Sequence, residues 1–218
     1  MKRRIGILTS GGDCPGLNAA IRGVARAAYE TFDAEIVGIH DGYRGLIEGD
    51  YSEMKREQFS GILTLGGTIL GTNRTPFRDM RKIGDDNVDK VAAMKKTYKD
   101  LKLDCLVTLG GNGTHKTANL LSQEGLNVIG LPKTIDNDIY GTDTTFGFQS
   151  AVDIATNVID YLHTTACSHG RTPRPRLGYR NLGEHGRLAD PVLRRRRRRR
   201  RHPDSGDSLQ HRQGRGSG

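Results

Sequence analysis

The sequence predicts a Rossmann-like α/β fold, a mainly parallel sheet with helices on its faces. Three observations carry that expectation. Short apolar runs recur along residues 1–170. Stretches with helical spacing of apolar residues alternate with them. Between run and helix lie loops rich in glycine, hydroxyls and carboxylates. Strand, loop and helix repeated in this order imply a parallel sheet, and ligands of such sheets bind beyond the carboxyl ends of the strands.

The elements follow in order. Ile5–Ser10 reads as a first buried strand, ending in "GGDCPG". The Ala-rich "LNAAIRGVARAAYETF" has helical spacing, and "AEIVGIHDGYRGL" reads as a strand and a loop. "GILTLGGTILGTNRTPF" is an apolar run broken by glycines, expected to end at the same sheet edge. "DNVDKVAAMKKTYKDL" is amphipathic, with Val88, Val91, Ala92, Met94 and Tyr98 as its apolar positions. "DCLVTLGGNGTHKTANLL" is strand, glycine-rich turn and helix again. "LNVIGLPKTIDND" is a strand with a polar loop, and "TFGFQSAVDIATNVIDYLHTT" closes the pattern as a long helix.

Composition divides the chain near residue 170. The first 170 residues hold 19 basic and 21 acidic side chains, whereas the remaining 48 hold 15 and 4. The whole net charge of +9 therefore comes from the tail and says nothing about partners of the body. No apolar stretch approaches the roughly 20 residues of a membrane span, and "MKRRIGILTS" is too short in its apolar part for a secretory signal. Cys14, Cys105 and Cys167 lack metal-ligand spacing, so a reduced, cytoplasmic setting is expected, with buried or incidental thiols favoured over catalytic ones.

Four loops, "SGGDCPG", "GGTILGTNR", "LGGNGT" and "PKTIDND", are expected to converge on one edge. A glycine pair before a helix can cradle an anion on backbone N–H groups; it can equally be a tight turn needing positive φ. Neither glycine loop is a Walker A motif, since Lys116-Thr117 follows His115 rather than glycine, and neither fits a dinucleotide fingerprint. In "PKTIDND", Asp136 and Asp138 alternate on what reads as an extended segment, with both carboxylates towards one cavity. One as base and one organising a metal suits phosphoryl transfer, with Lys133 and Arg74 as the cations; the alternative is a solvated Asx turn. His40, His115 and His163 are isolated and read as structural or exposed.

Together these strings resemble the 6-phosphofructokinase family: "IGILTSGGDCPGLNAAIRGV", "GGTILGTNR", "LVTLGGNGTHKTANLL" and "GLPKTIDNDIYGTDTTFGFQSAVD", ending in "LHTTACSHGR". They occur in the family's order over about residues 1–171, which would then be its nucleotide-binding domain. The resemblance implies phosphorylation of fructose 6-phosphate by ATP to fructose 1,6-bisphosphate, with Mg2+ as cofactor, in homotetramers or homodimers. It implies nucleotide contacts at Gly12, Arg74, Thr75, Gly111, Asn112, Gly113 and Thr114. It makes Asp136 the base for the sugar 1-hydroxyl, Thr134 a substrate contact and Asp138 an indirect support of the metal. Arg171 would bind the sugar phosphate across a subunit interface, and Arg22 and Arg26 would belong to an effector site.

Two departures bear on the donor. Asn112 stands where nucleotide-dependent members have aspartate, keeping a carbonyl but losing a charge, which weakens it as a metal ligand. Lys133 is frequent in pyrophosphate-dependent relatives, but those usually carry an acidic residue at the position of Gly113. Glycine there leaves room for the nucleotide's α-phosphate, so ATP is favoured and pyrophosphate is the alternative.

Beyond Arg171 the family pattern stops and "VLRRRRRRRRHPDSGDSLQHRQGRGSG" closes the chain. Permitted codons for "HPDSGDSLQHRQGR", read one nucleotide later, spell ILIPEIPYSIDKV, a segment the family resemblance leads one to expect there. Residues 172–218 are therefore expected to be an out-of-frame, disordered tail, and the chain as written to be inactive. The reading from another class, nucleic-acid binding by the arginine tail, is disfavoured because the body carries no basic excess.

Overall fold

The computed structural model describes residues 2–83 and 88–168. The strands are β1 (Arg4–Thr9), β2 (Glu35–Ile39), β3 (Tyr51–Met54), β4 (Cys105–Gly110), β5 (Val128–Thr134) and β6 (Phe146–Gly147). The helices are α1 (Leu17–Phe32), α2 (Tyr43–Glu48), α3 (Lys90–Asp100), α4 (Asn112–Gln123) and α5 (Phe148–Ser168). One six-stranded sheet runs in the order β3-β2-β1-β4-β5-β6. All pairings are parallel except β2 with β3, an antiparallel edge pair that periodicity did not reveal. The α/β expectation therefore holds, with one reversed strand.

Side-chain alternation along the strands sorts the core into two layers. Leu8, Val37, Ile39 and Leu106 pack on one face with Tyr43 and Leu46 of α2, Met94 and Tyr98 of α3, and Leu120 and Leu121 of α4. Ile7, Ile36, Val107 and Leu109 face the other way, against Leu17, Ala20, Ile21, Ala25 and Ala28 of α1. The small alanines let α1 lie close to the sheet. In α3, Asp89 caps the first turn by accepting from the Val91 and Ala92 N–H groups at 3.0 Å. Val91, Met94 and Tyr98 are buried as expected; Ala92 is exposed, being off the buried stripe.

Three further expectations are corrected. "GILTLGGTIL" forms no strand: Gly61, Gly67 and Gly71 all have positive φ, and side chains from β1 and α1 take up its backbone groups. The "DGYRGL" loop contains the short helix α2. The segment after β5 is a turn rather than extended, because Asn137 sits at φ 52. Among the described residues, no helix is long and apolar enough to cross a membrane. Arg171 and the tail lie outside the described residues.

Candidate active site

Four segments meet over the carboxyl ends of β1, β4 and β5, around a cleft of about 560 Å³. The β1–α1 loop supplies Gly12, Asp13 and Cys14, and residues 74–77 supply Arg74 and Thr75. The start of α4 supplies Gly111, Asn112, Gly113 and Thr114, and the end of β5 supplies Lys133, Thr134, Asp136 and Asp138. Eleven residues singled out from sequence thus share one cleft: Gly12, Arg74, Thr75, Gly111–Thr114, Lys133, Thr134, Asp136 and Asp138. Arg22 and Arg26 do not line it; they lie on α1, where Arg26 is paired with Glu30 at 2.9 Å.

The two glycine loops differ in what their glycines do. Gly11 and Gly16 have φ of 91° and 94°, so in "GGDCPG" the turn reading accounts for those two, while Gly12 faces the cleft. Around α4, Gly111 and Gly113 are not at positive φ, and a Cβ at Gly113 would meet nothing within 4 Å. No side chain caps α4, so its first N–H groups and the positive end of its dipole are presented at the cleft. Gly110 serves packing: a Cβ there would overlap the buried Thr114 side chain. The first turn of α4 is held from below by the fully buried Tyr43, whose hydroxyl donates to the Thr114 carbonyl at 2.9 Å.

The acidic loop is folded by its uncharged members. Thr134 Oγ1 accepts from the Asp136 N–H at 3.1 Å, and Thr145 Oγ1 donates to the Thr134 carbonyl at 2.7 Å. Asn137 accepts from the Thr145 N–H at 2.8 Å and donates to the Asp143 carbonyl at 3.1 Å. Thr134 therefore carries the local turn bond, Asn137 ties the loop across to Asp143 and Thr145, and Asp136 and Asp138 both line the cleft. Sequence reasoning missed Asn137, although an asparagine between two aspartates is a signal for a left-handed turn.

Lys133 is the buried cation of the site, 5% exposed, and its ammonium donates to the Gly12 carbonyl. Burial pulls its pKa down; Cys14 and Asp13 oppose that shift, and Arg74 adds to it. The Cys14 thiol is pushed up to about 11, chiefly by burial, against the pull of Lys133. Cys105 is likewise raised by burial, so neither thiol is set up as a nucleophile. His40 bonds Ser52 at 3.0 Å, and His115 is half-buried with its pKa lowered by burial; neither lines the cleft.

A pH dependence follows. Lys133 loses its charge below the usual lysine range, so affinity for an anion in the cleft falls as pH rises past that depressed value. Bound anion raises the pKa again, so binding takes up protons in that window. Pyrophosphate titrations at neutral and alkaline pH, in two buffers of different ionisation heat, check both signs; Lys133→Met removes the proton uptake.

Comparison with known proteins gives the same picture. A family profile described as Phosphofructokinase matches residues 4–173. The chain is 64% identical to the ATP-dependent 6-phosphofructokinase of Spirochaeta thermophila, over 78% of this chain and 47% of that protein. It is 52% identical to ATP-dependent 6-phosphofructokinase 3 of Bacteroides thetaiotaomicron, over 77% and 50%. The fold superposes on phosphofructokinase from Saccharomyces cerevisiae with a TM-score of 0.66 and 32% identity, over 77% of this chain and 25% of that one. Pyrophosphate-dependent phosphofructokinase from Nitrosospira multiformis shares the fold at 20% identity, with a TM-score of 0.63, over 78% and 44%. The chain spans about half the length of the curated relatives it matches. With the profile covering residues 4–173, the chain belongs to the phosphofructokinase family.

Proposed function

We propose that this chain carries the phosphoryl-donor side and the base of a 6-phosphofructokinase, transferring the γ-phosphoryl of ATP to the 1-hydroxyl of fructose 6-phosphate. The observation that carries the reading is that Asp136 lines the same cleft as the uncapped start of α4 and the cations Arg74 and Lys133. Asp136 takes the proton of the 1-hydroxyl, the freed oxygen attacks the γ-phosphorus, and ADP departs as the leaving group. The N–H groups at the start of α4, with Arg74 and Lys133, offset the charge on the phosphates. Thr134 orients the sugar, and Arg171 is assigned to its phosphate from a neighbouring subunit in a homotetramer or homodimer.

Among the described residues there is no group of three or more His, Cys, Asp or Glu side chains that could hold a metal. A cleft carboxylate beside the base nevertheless suits Mg2+, which keeps waters and shares its shell between one or two carboxylates and substrate phosphates. Asp138 would support it indirectly, with Asn112 lending a carbonyl, and it would neutralise phosphate charge there while Asp136 serves as the base.

Pyrophosphate is the second reading, favoured by the ammonium of Lys133 inside the cleft. The open space at Gly113 and the names of the curated relatives support ATP. Gly113→Asp separates the two, because a Cβ there meets nothing within 4 Å and the substitution starts from open space. It is expected to weaken ATP by at least about tenfold through like-charge repulsion, with a smaller loss for pyrophosphate. Calorimetric titration of both ligands reads this, and a wild-type chain that binds pyrophosphate but not ATP overturns the ATP assignment.

A further inference from the structure

Asn18 is the second residue of α1 and is 1% exposed, yet it does not line the cleft. A buried amide is costly unless its polar atoms find partners. Here every recorded partner lies in one segment. Nδ2 donates to the carbonyls of Leu65 at 3.1 Å and Gly66 at 3.3 Å, and Oδ1 accepts from the Ile69 N–H at 2.8 Å. That segment belongs to neither strand nor helix and bends through Gly67 at φ 67, so its backbone depends on such side-chain bonds.

The same segment runs on to the cleft. Thr9 Oγ1 donates to the Gly71 carbonyl at 2.7 Å, and Thr72 Oγ1 donates to the Gly11 carbonyl at 2.6 Å. The Gly11 N–H donates in turn to the Asn73 carbonyl at 3.1 Å. Arg74 follows at once, with Nη2 3.2 Å from where a Cβ of Gly12 would stand. Residues 65–75 thus form an arm, fastened to α1 at its base and to the glycine loop at its tip.

We infer that Asn18 is a positioning residue that sets this arm so that Arg74 and Thr75 face the phosphoryl donor; the inference rests on the donor-cleft reading proposed above. Asn18 touches no reacting atom. Its effect reaches ligand only through the arm, which distinguishes it from a residue that merely holds the fold together.

The test joins two measurements on the full chain: amide hydrogen exchange by peptide, and titration with pyrophosphate and with ATP. In Asn18→Leu, which keeps the bulk and removes all three bonds, amides of residues 69–73 are expected to exchange about tenfold faster while β1 and β4 keep their protection. Affinity for both ligands falls about tenfold. Asn18→Ser, at home in the first turn of a helix, is read in the same way if the leucine variant precipitates. Equal affinity in a folded variant overturns the inference, as does faster exchange spread evenly over β1, β4 and the arm. Failure of both variants to fold overturns it too, since the role is then structural. A wild-type chain that binds neither ligand overturns the donor-cleft reading and the inference with it. A wild-type chain that binds, beside a folded variant that binds equally well, overturns the inference alone.

Discussion

Asp136→Asn lowers the turnover of fructose 6-phosphate by about 10²- to 10⁴-fold, the range a positioned general base contributes. The measurement uses residues 1–171 joined to the second half of a curated relative, because the chain spans about half of such proteins. Asparagine keeps the size of the side chain and removes only the proton acceptor. Donor binding is therefore expected to hold or to tighten, since a negative charge beside the phosphates is gone. The turn is expected to survive, because hydrogen bonds of Thr134, Asn137 and Thr145 close it. A variant that turns over within about threefold of the parent removes Asp136 as the base. A variant that loses ATP binding along with turnover assigns the residue to the donor instead.

Gly45→Ala destabilises the fold by about 3 kcal/mol, more than a hundredfold in the unfolding equilibrium. A Cβ at Gly45 would overlap the His40 carbonyl oxygen and lie 2.9 Å from that of Asp50. Both are backbone atoms, so no rotamer change relieves the clash and α2 must lift away. Tyr43 leaves with it, and its hydroxyl is what ties α2 to the Thr114 carbonyl in the first turn of α4. The loss therefore extends to the first turn of α4, and pyrophosphate affinity is expected to fall in parallel. Gly23→Ala is the control: it lies in α1 with nothing within 4 Å of its Cβ, and gains about 0.5–1 kcal/mol from helix propensity. Urea midpoints of the two variants should move in opposite directions; a Gly45→Ala midpoint matching wild type would show that α2 yields without cost.

The order of strand, loop and helix was legible because burial on both faces writes apolar runs, and helices write a stripe. The same patterns predicted where the loops would meet, since the carboxyl ends of parallel strands share an edge. The reversed edge strand β3 was not legible. It alternates exposed and half-buried residues, so no apolar run marks it, and its place comes from pairing with β2. The arm at residues 65–75 misled for the opposite reason: its apolar residues suggest a strand, but glycines at positive φ break the extended path.

The site divides in the same way. Residue types alone determined that Asp136, Asp138, Lys133, Arg74 and the glycines around Asn112 were candidates, because carboxylates, cations and glycines carry their chemistry wherever they stand. Only the tertiary structure decided which of Gly11, Gly12, Gly111 and Gly113 turn the chain and which open it to a ligand. It also decided that Arg22 and Arg26 lie elsewhere, and that Asn18, Tyr43 and Asn137 bond to backbone of the segments that lead to the cleft. Those three act through hydrogen bonds to backbone atoms distant in sequence or hidden in a turn. Such bonds depend on where the chain passes and leave no periodicity for a sequence to display.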